Sequence, residues 1–166
     1  NQTGKEVIDL QIKALKKLRS SINDSFTKAV KTILKCKSKV IICGVGKSGI
    51  IASKISATLS SVGTPSFSIS ASDCSHGDLG RITKNDVLIL ISNSGNTSEL
   101  SSIIDYAKKY KILLIGIVSN RDSTLFRSSN IKLLIIIICI DSFLWGLLSV
   151  LKPFPCAVIS HVRPSY

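Results

Sequence analysis

Three polar segments of this 166-residue sequence hold residue types that bind anions and move protons. Residues 44–49 read GVGKSG, in which glycines let the backbone approach an anion and Lys47 adds a mobile positive charge. Residues 92–99 combine hydroxyl and amide side chains with the carboxylate of Glu99. Residues 73–78 contain His76, whose imidazole can act as an acid or a base near pH 7. Together they predict a site for an anionic ligand with acid–base groups beside it.

The glycine-rich segment matches two nucleotide-binding patterns incompletely. A dinucleotide site needs GxGxxG and an acidic residue at the end of the second strand, but that strand ends at Ser70 and the first acid is Asp73. A Walker A loop would need a glycine at the position of Ile41. We therefore expect neither nucleotide, and a plain tight turn with a surface lysine is the alternative to an anion site.

The second segment predicts a cup for a phosphate group. The hydroxyls of Ser92, Ser94 and Thr97 would join the amides at the start of a helix, which is a donor-rich arrangement. A generously capped helix is the alternative, although one cap needs fewer polar neighbours. Glu99 falls in the first helical turn, where it is either a catalytic carboxylate or a surface acid that complements the helix dipole.

Alternating apolar runs and amphipathic stretches predict the elements that position these segments. Helices are expected over 5–36 (with a break at 23–25), 48–62 and 97–110, and strands over 39–44, 66–70, 86–92, 111–118 and from Ile131. Strands that alternate with helices indicate parallel pairing, and ligands of such sheets bind at the carboxyl ends of the strands. The predicted fold is α/β: a three-layer αβα sandwich with a five-stranded, mostly parallel sheet and an amino-terminal helical arm.

The net charge of +12 favours an anionic partner, which could be nucleic acid, an acidic membrane surface or a phosphorylated metabolite. A solvated lysine-rich face is the alternative, since ten of the 22 basic residues lie between positions 5 and 39. Few aromatics and no helix-turn-helix pattern disfavour nucleic acid. The five cysteines form no CxxC pair, so we expect neither a disulfide framework nor a zinc site, and a cytoplasmic location. The absence of Met suggests that residue 1 is not the original start.

The three polar segments, with the text around them, resemble the sugar isomerase (SIS) domain and, more closely, the arabinose-5-phosphate isomerase family. The matching stretches are VGKSG (45–49), GTPSFSISASDCSHGDLGRI (63–82) and NDVLILISNSGNTSEL (85–100). The resemblance implies interconversion of D-ribulose 5-phosphate and D-arabinose 5-phosphate through an enediol, for the Kdo sugar of lipopolysaccharide. It implies a sugar phosphate as the ligand, no cofactor, no nucleic acid and a homo-oligomer.

The resemblance also assigns roles to individual positions. It implies that Lys47 stabilises enediolate charge, that Glu99 belongs to the acid–base machinery, and that His76 is a third catalytic residue. The implied substrate-binding residues are Gly46, Ser48, Gly63, Thr64, Ser92, Ser94 and Thr97. Ser70 and Ile50 stand where relatives often have histidines, so no metal site is expected.

The resemblance ends near Ile131, where the family's carboxyl-terminal text is replaced. We expect an arm (1–36), a SIS domain (37–138), a divergent apolar tail (139–166) and no CBS domains. Residues 133–151 carry one charge, so a membrane span is a minor alternative to a fifth strand followed by the product of a frameshift or premature stop. The alternatives to an isomerase are a sugar-phosphate-binding module without turnover and a decayed, inactive remnant.

Overall fold

The apolar runs form one sheet of five parallel strands in the computed structural model, which describes residues 2–74 and 77–134. Within the sheet the strands lie in the order β2-β1-β3-β4-β5. Their bounds are β1 Val40–Gly44, β2 Ser66–Ser70, β3 Val87–Ser92, β4 Leu113–Val118 and β5 Ile131–Leu134. The α/β prediction is confirmed, and the sheet is parallel throughout rather than mostly so. Parallel strands buried on both faces explain why each run reads as continuously apolar.

Six α-helices accompany the strands. They are α1 Gln2–Ser21, α2 Asp24–Leu34, α3 Lys47–Ser61, α4 Ala71–Cys74, α5 Ser101–Lys109 and α6 Thr124–Ser128. The predicted break in the first helical stretch is confirmed, because Asn23 caps α2 by accepting a hydrogen bond from the backbone N–H of Ser25.

Successive residues of each strand point to opposite faces and fill two separate cores. On β1, Ile42 packs with α2 and α3, whereas Ile41 and Cys43 pack on the side that holds α4, α5 and α6. This gives the helix–sheet–helix layering of the predicted sandwich.

Short helices account for the differences from the predicted elements. A 3₁₀ helix, Ser98–Leu100, forms the first turn of the stretch expected as one helix over 97–110. A second 3₁₀ helix, Asp78–Arg81, and the helices α4 and α6 were not predicted. Elements of four or five residues complete barely one turn, so they leave no readable periodicity in the sequence.

The strand order creates a crevice between the carboxyl ends of β1 and β3. The chain leaves β1 through α3 toward β2 on one side, and leaves β3 through α5 toward β4 on the other. Loops that diverge from neighbouring strands leave space between them, which is where open α/β sheets bind ligands. The loops after Gly44 and Ser92 flank this space.

A buried ion pair closes the opposite, amino-terminal edge of the sheet. The Asp86 side chain is 0% exposed and accepts hydrogen bonds from the Ser38 hydroxyl (2.6 Å), the Thr83 N–H (2.6 Å) and the Thr83 hydroxyl (2.9 Å). The Lys39 ammonium lies 3.2 Å from the same carboxylate. Burial acts to raise the pKa of Asp86, but these hydrogen bonds outweigh it and hold the pKa below its ordinary value.

The predictions for the tail concern mostly residues outside the described part of the chain. Leu133 and Leu134 lie in β5, so the start of the apolar stretch is a strand. Among the residues that the structure describes, no helix combines the length and hydropathy that a membrane span requires. Cys36, Cys43 and Cys74 are free thiols, with Cys43 and Cys74 buried.

Candidate functional site

The loop after β1 presents bare backbone to the crevice. Gly44 lies so close to the start of α3 that a Cβ there would come within 2.6 Å of the backbone of Ser48. Gly46 has φ +56°, a conformation that favours glycine. The sequence therefore needs glycine at both positions to turn directly from strand into helix.

Lys47 and Ser48 occupy the first two positions of α3. Lys47 is exposed and Ser48 is half-buried. Several amides here already have partners, because Ser48 N–H donates to the Val45 carbonyl and Gly49 N–H to the Gly46 carbonyl. The charge of Lys47 and the helix N-terminus, rather than a ring of free amides, supply the positive potential on this side.

The loop after β3 is organised by its own hydroxyls. Buried Ser92 accepts a hydrogen bond from the Gly95 N–H at 2.9 Å, and its Oγ lies 2.7 Å from the Thr97 Oγ1. Thr97 precedes the 3₁₀ helix without capping it by its side chain, so the generously capped helix is not what forms here. Ser94 is exposed and accepts from the Asn96 N–H at 3.3 Å.

A neighbouring loop braces this turn. Gly95, with φ +66°, lies directly against the Ser123 side chain, and its carbonyl accepts from the Leu125 N–H at 3.0 Å. The Asn96 side chain accepts from the Thr124 N–H at 2.8 Å. The loop after β4 thus fixes the position of the polar segment.

Glu99 is an exposed carboxylate that its surroundings keep ionised. A hydrogen bond from its own backbone N–H and one from the Ser98 hydroxyl at 2.8 Å lower the pKa of Glu99 from its ordinary value. A carboxyl group with a lowered pKa is deprotonated at neutral pH, so it is ready to accept a proton rather than to donate one.

A cavity of about 470 Å³ opens at the carboxyl ends of β1 and β2. Gly46 and Glu99 both line it, so two sequence-predicted residues from different loops meet at one space. Lys47 and Ser48 follow Gly46 directly in the chain. The loop of Ser92, Ser94 and Thr97 leads into the turn that carries Glu99.

Four serines on the cavity wall were not predicted as lining residues. Ser53 Oγ lies 3.0 Å from Ser68 Oγ, and Ser70 Oγ lies 2.6 Å from Ser72 Oγ. The signal for two of them was present, because Ser68 and Ser70 alternate along β2 and so share a face. The cavity wall is consequently rich in hydroxyls that can donate to or accept from a polyol.

The remaining predicted residues are not brought into this cavity by the described chain. Gly63 and Thr64 precede β2, so they lie at the amino-terminal edge of the sheet, roughly 20 Å from Ser70 along the strand direction. Their part in substrate binding stays a prediction. His76 lies outside the described residues, and its catalytic role also stays a prediction.

A metal is not anticipated by the donor groups seen here. Within residues 2–74 and 77–134, no group of three His, Cys, Asp or Glu residues is arranged to hold an ion. Ser70, the position where the resemblance would allow a histidine, contributes a hydroxyl to the cavity.

The chain spans about two-fifths of the length of the curated relatives it matches. It is 43% identical over 134 residues to arabinose 5-phosphate isomerase KdsD of Yersinia pestis, which covers 81% of this chain and 41% of the relative. It is 48% identical over 131 residues to the protein of the same name from Francisella tularensis, covering 77% and 40% respectively.

A solved structure matches over nearly its whole length. The Escherichia coli CFT073 protein c3406, in complex with arabinose 5-phosphate, is 31% identical with a TM-score of 0.78, and the match covers 92% of both chains. The model of the SIS domain matches residues 33–144. The arrangement of the sheet, the polar loops at its carboxyl edge and these similarities together place the chain in the SIS domain family.

Proposed function

We propose that this chain is an aldose–ketose isomerase that interconverts D-arabinose 5-phosphate and D-ribulose 5-phosphate in the cytoplasm, in the supply of the Kdo sugar. The observation that carries the proposal is the meeting of Gly46 and Glu99 on one hydroxyl-lined cavity, with Lys47 next to Gly46. The names of the relatives from Yersinia and Francisella support the substrate.

The phosphate group would bind at the loop after β3. The exposed Ser94 hydroxyl, and the start of the 3₁₀ helix that no described side chain caps, leave donors for a dianion. Ser92 is buried and its hydroxyl shapes the loop, so its contribution would come through the position of Thr97.

The reaction moves one proton between neighbouring carbons and changes no oxidation state overall. In the aldose-to-ketose direction, Glu99 would take the proton from C2 while the carbonyl oxygen at C1 gains negative charge. Lys47 would stabilise that enediolate charge electrostatically. Return of the proton to C1 and transfer of the hydroxyl proton from O2 to O1 complete the ketose and regenerate the carboxylate.

The assignment of roles follows the charges on the described residues. Glu99 is held ionised and therefore suits the base, whereas Lys47, which is exposed at a helix N-terminus, suits the electrostatic role. His76 remains the candidate for moving the proton between the two oxygens.

The decisive experiment measures conversion of D-arabinose 5-phosphate to D-ribulose 5-phosphate by the purified 166-residue chain. Lys47→Ala and Glu99→Gln are each expected to lower turnover by at least about 10²-fold, because each removes a proton-transfer or electrostatic contribution. Lys84→Ala and Asp105→Asn remove exposed charges far from the cavity and serve as matched controls with unchanged turnover.

A binding measurement separates catalysis from recognition. A ligand at 100 times its dissociation constant stabilises a protein by about 2.7 kcal/mol, which a thermal shift detects. Stabilisation by D-arabinose 5-phosphate but not by D-arabinose, without turnover, would overturn the isomerase proposal and leave a sugar-phosphate-binding module. Neither turnover nor stabilisation of a folded chain would point to an inactive remnant.

A further inference from the structure

The outward face of α1 carries an apolar stripe that the domain does not cover. Ile8, Ile12 and Leu15 are 57%, 45% and 41% exposed. At 100° per residue their side chains fall within an arc of roughly 60°. Ala14 and Leu18, on the adjoining side of the helix, are the α1 side chains that reach the core. The helix therefore lies on its own domain with one side and offers a second apolar side to solvent.

The spacing of this stripe is that of a heptad. Ile8, Ile12 and Leu15 occupy successive d, a and d positions, which is the pattern that packs one helix against another. The flanking a positions are Lys5 and Arg19, whose aliphatic stems can cover apolar neighbours while their charges reach water. Pairing is thus strongest over the middle of α1.

The charges beside the stripe fit a second copy of the same helix running in the opposite direction. In an antiparallel pair, a positions face d positions and each e position faces the e position of the other helix. The two e positions of α1 are Asp9 and Lys16, which are exposed and opposite in charge. Two-fold symmetry would bring each Asp9 against the partner copy's e-position lysine, and would do so twice.

A parallel pair would lack this complementarity. There, e positions face g positions, and the residue that would face Lys16 is the uncharged Gln11. The sequence of the exposed face therefore distinguishes between the two directions.

We propose that two copies of this chain associate through an antiparallel pairing of their α1 helices, with Ile12 of one copy against Leu15 of the other. The interface is isologous, as a two-fold dimer requires. This inference gives a surface to the expected homo-oligomer and does not depend on the proposed isomerase activity.

The test uses charge reversal on the full chain, with the dissociation constant measured by sedimentation. Asp9→Lys and Lys16→Asp each place like charges at both e–e contacts, so each is expected to weaken association by roughly tenfold. An equimolar mixture of the two variants restores opposite charges at both contacts and should associate as the unaltered chain does. Such rescue is specific to the antiparallel arrangement.

A second pair of variants tests the apolar stripe. Ile12→Ser should shift the chain toward monomer, whereas Leu10→Ser, at the outermost f position and 66% exposed, should leave association unchanged. Circular dichroism checks that the helix content of each variant is retained. A monomeric unaltered chain at 100 μM (a chosen upper concentration), or a dimer indifferent to Asp9→Lys and Ile12→Ser, would overturn the proposal. Loss of association on removal of residues 135–166, with α1 intact and insensitive to these changes, would overturn it as well.

Discussion

The two edges of the sheet solve opposite problems with similar residues. At the amino-terminal edge, Asp86 is fully buried and four donors surround its two oxygens. At the carboxyl edge, Glu99 is exposed, and its hydrogen bonds come from its own turn and from the neighbouring Ser98. Both carboxylates have lowered pKa values, yet only the second leaves its oxygens accessible. A lowered pKa therefore marks structure at one edge and availability for chemistry at the other.

The backbone differs between the edges in the same sense. Gly46 and Gly95, in the loops that flank the crevice, adopt positive φ and replace side chains by bare chain. Substitutions at the amino edge should consequently affect stability more than ligand binding, and those at the carboxyl edge should affect both.

The largest effect is expected from Gly44→Ala, where β1 meets α3. The added Cβ would lie 2.6 Å from backbone atoms of Ser48, which cannot move without shifting the helix. We expect a loss of about 3 kcal/mol in the free energy of unfolding, measured by urea denaturation. Gly80→Ala is the matched control, since nothing lies within 4 Å of its added Cβ. Equal stability of the two variants would contradict the close approach.

The next effect concerns Asp86→Asn at the amino edge. The variant loses the ion pair with Lys39 and sets amide hydrogens against donors, so we expect a loss of about 2–3 kcal/mol at pH 7. Asp78→Asn, which removes a more exposed ion pair with Arg81, should cost less than about 1 kcal/mol. Phosphosugar affinity should be unchanged in both variants.

The Asp86 contribution carries a pH signature. Because the pKa of Asp86 is lowered in the folded chain, its stabilisation is complete above the unfolded pKa of about 3.9 and is lost as the pH falls through the lower folded value. The stability difference between the unaltered chain and Asp86→Asn should therefore shrink below about pH 4. A difference that stays constant down to pH 2.5 (a chosen lower limit) would contradict this assignment.

A matched pair of glycines compares the edges directly. Gly46 (φ +56°) and Gly63 (φ +88°) both have open space around an added Cβ, so alanine at either should cost about 1–2 kcal/mol from backbone strain alone. Gly46→Ala should also weaken D-arabinose 5-phosphate binding in a thermal-shift titration. In a single copy of the chain Gly63→Ala should not, and an equal loss of affinity there would support the predicted contact of the Gly63 turn with the ligand.

The smallest effect is expected from Ser98→Ala. It removes one of the two hydrogen bonds that lower the pKa of Glu99, so that pKa should rise toward its ordinary value. Carbon-detected NMR titration of the Glu99 carboxyl group would measure the change. Ser102→Ala, on the exposed surface of α5, should leave the titration unchanged.

Much of the fold was readable because the apolar runs of a parallel sheet are local signals. The strand that begins near Val87 is apolar throughout, and the end of β2 at Ser70 was predicted to the residue. The break before α2 was readable because Asn23 is a capping residue within an otherwise periodic pattern. The two loops of the crevice followed from the general rule for strand ends.

What escaped prediction depends on contacts between distant residues. Thr97 was expected to join a phosphate cup, but its hydroxyl first meets Ser92 across the turn. The Asp86 network joins Ser38 to a position 48 residues later, and no local pattern announces it. Likewise, Ser53 and Ser68 become cavity neighbours only once α3 has packed on β2.

The position of β1 in the sheet has a consequence for synthesis of the chain. β1 is the first strand made and also a central one, and Val40 pairs with Ser66 and Val87, which are 26 and 47 residues later. At 5–20 residues per second, one edge of this wholly apolar strand waits roughly 2–10 s for β3 to be translated. During that interval the nascent chain exposes an unpaired strand edge, the form most open to intermolecular pairing. Shielding in the ribosome tunnel or by a chaperone over those seconds would therefore govern the yield of folded protein.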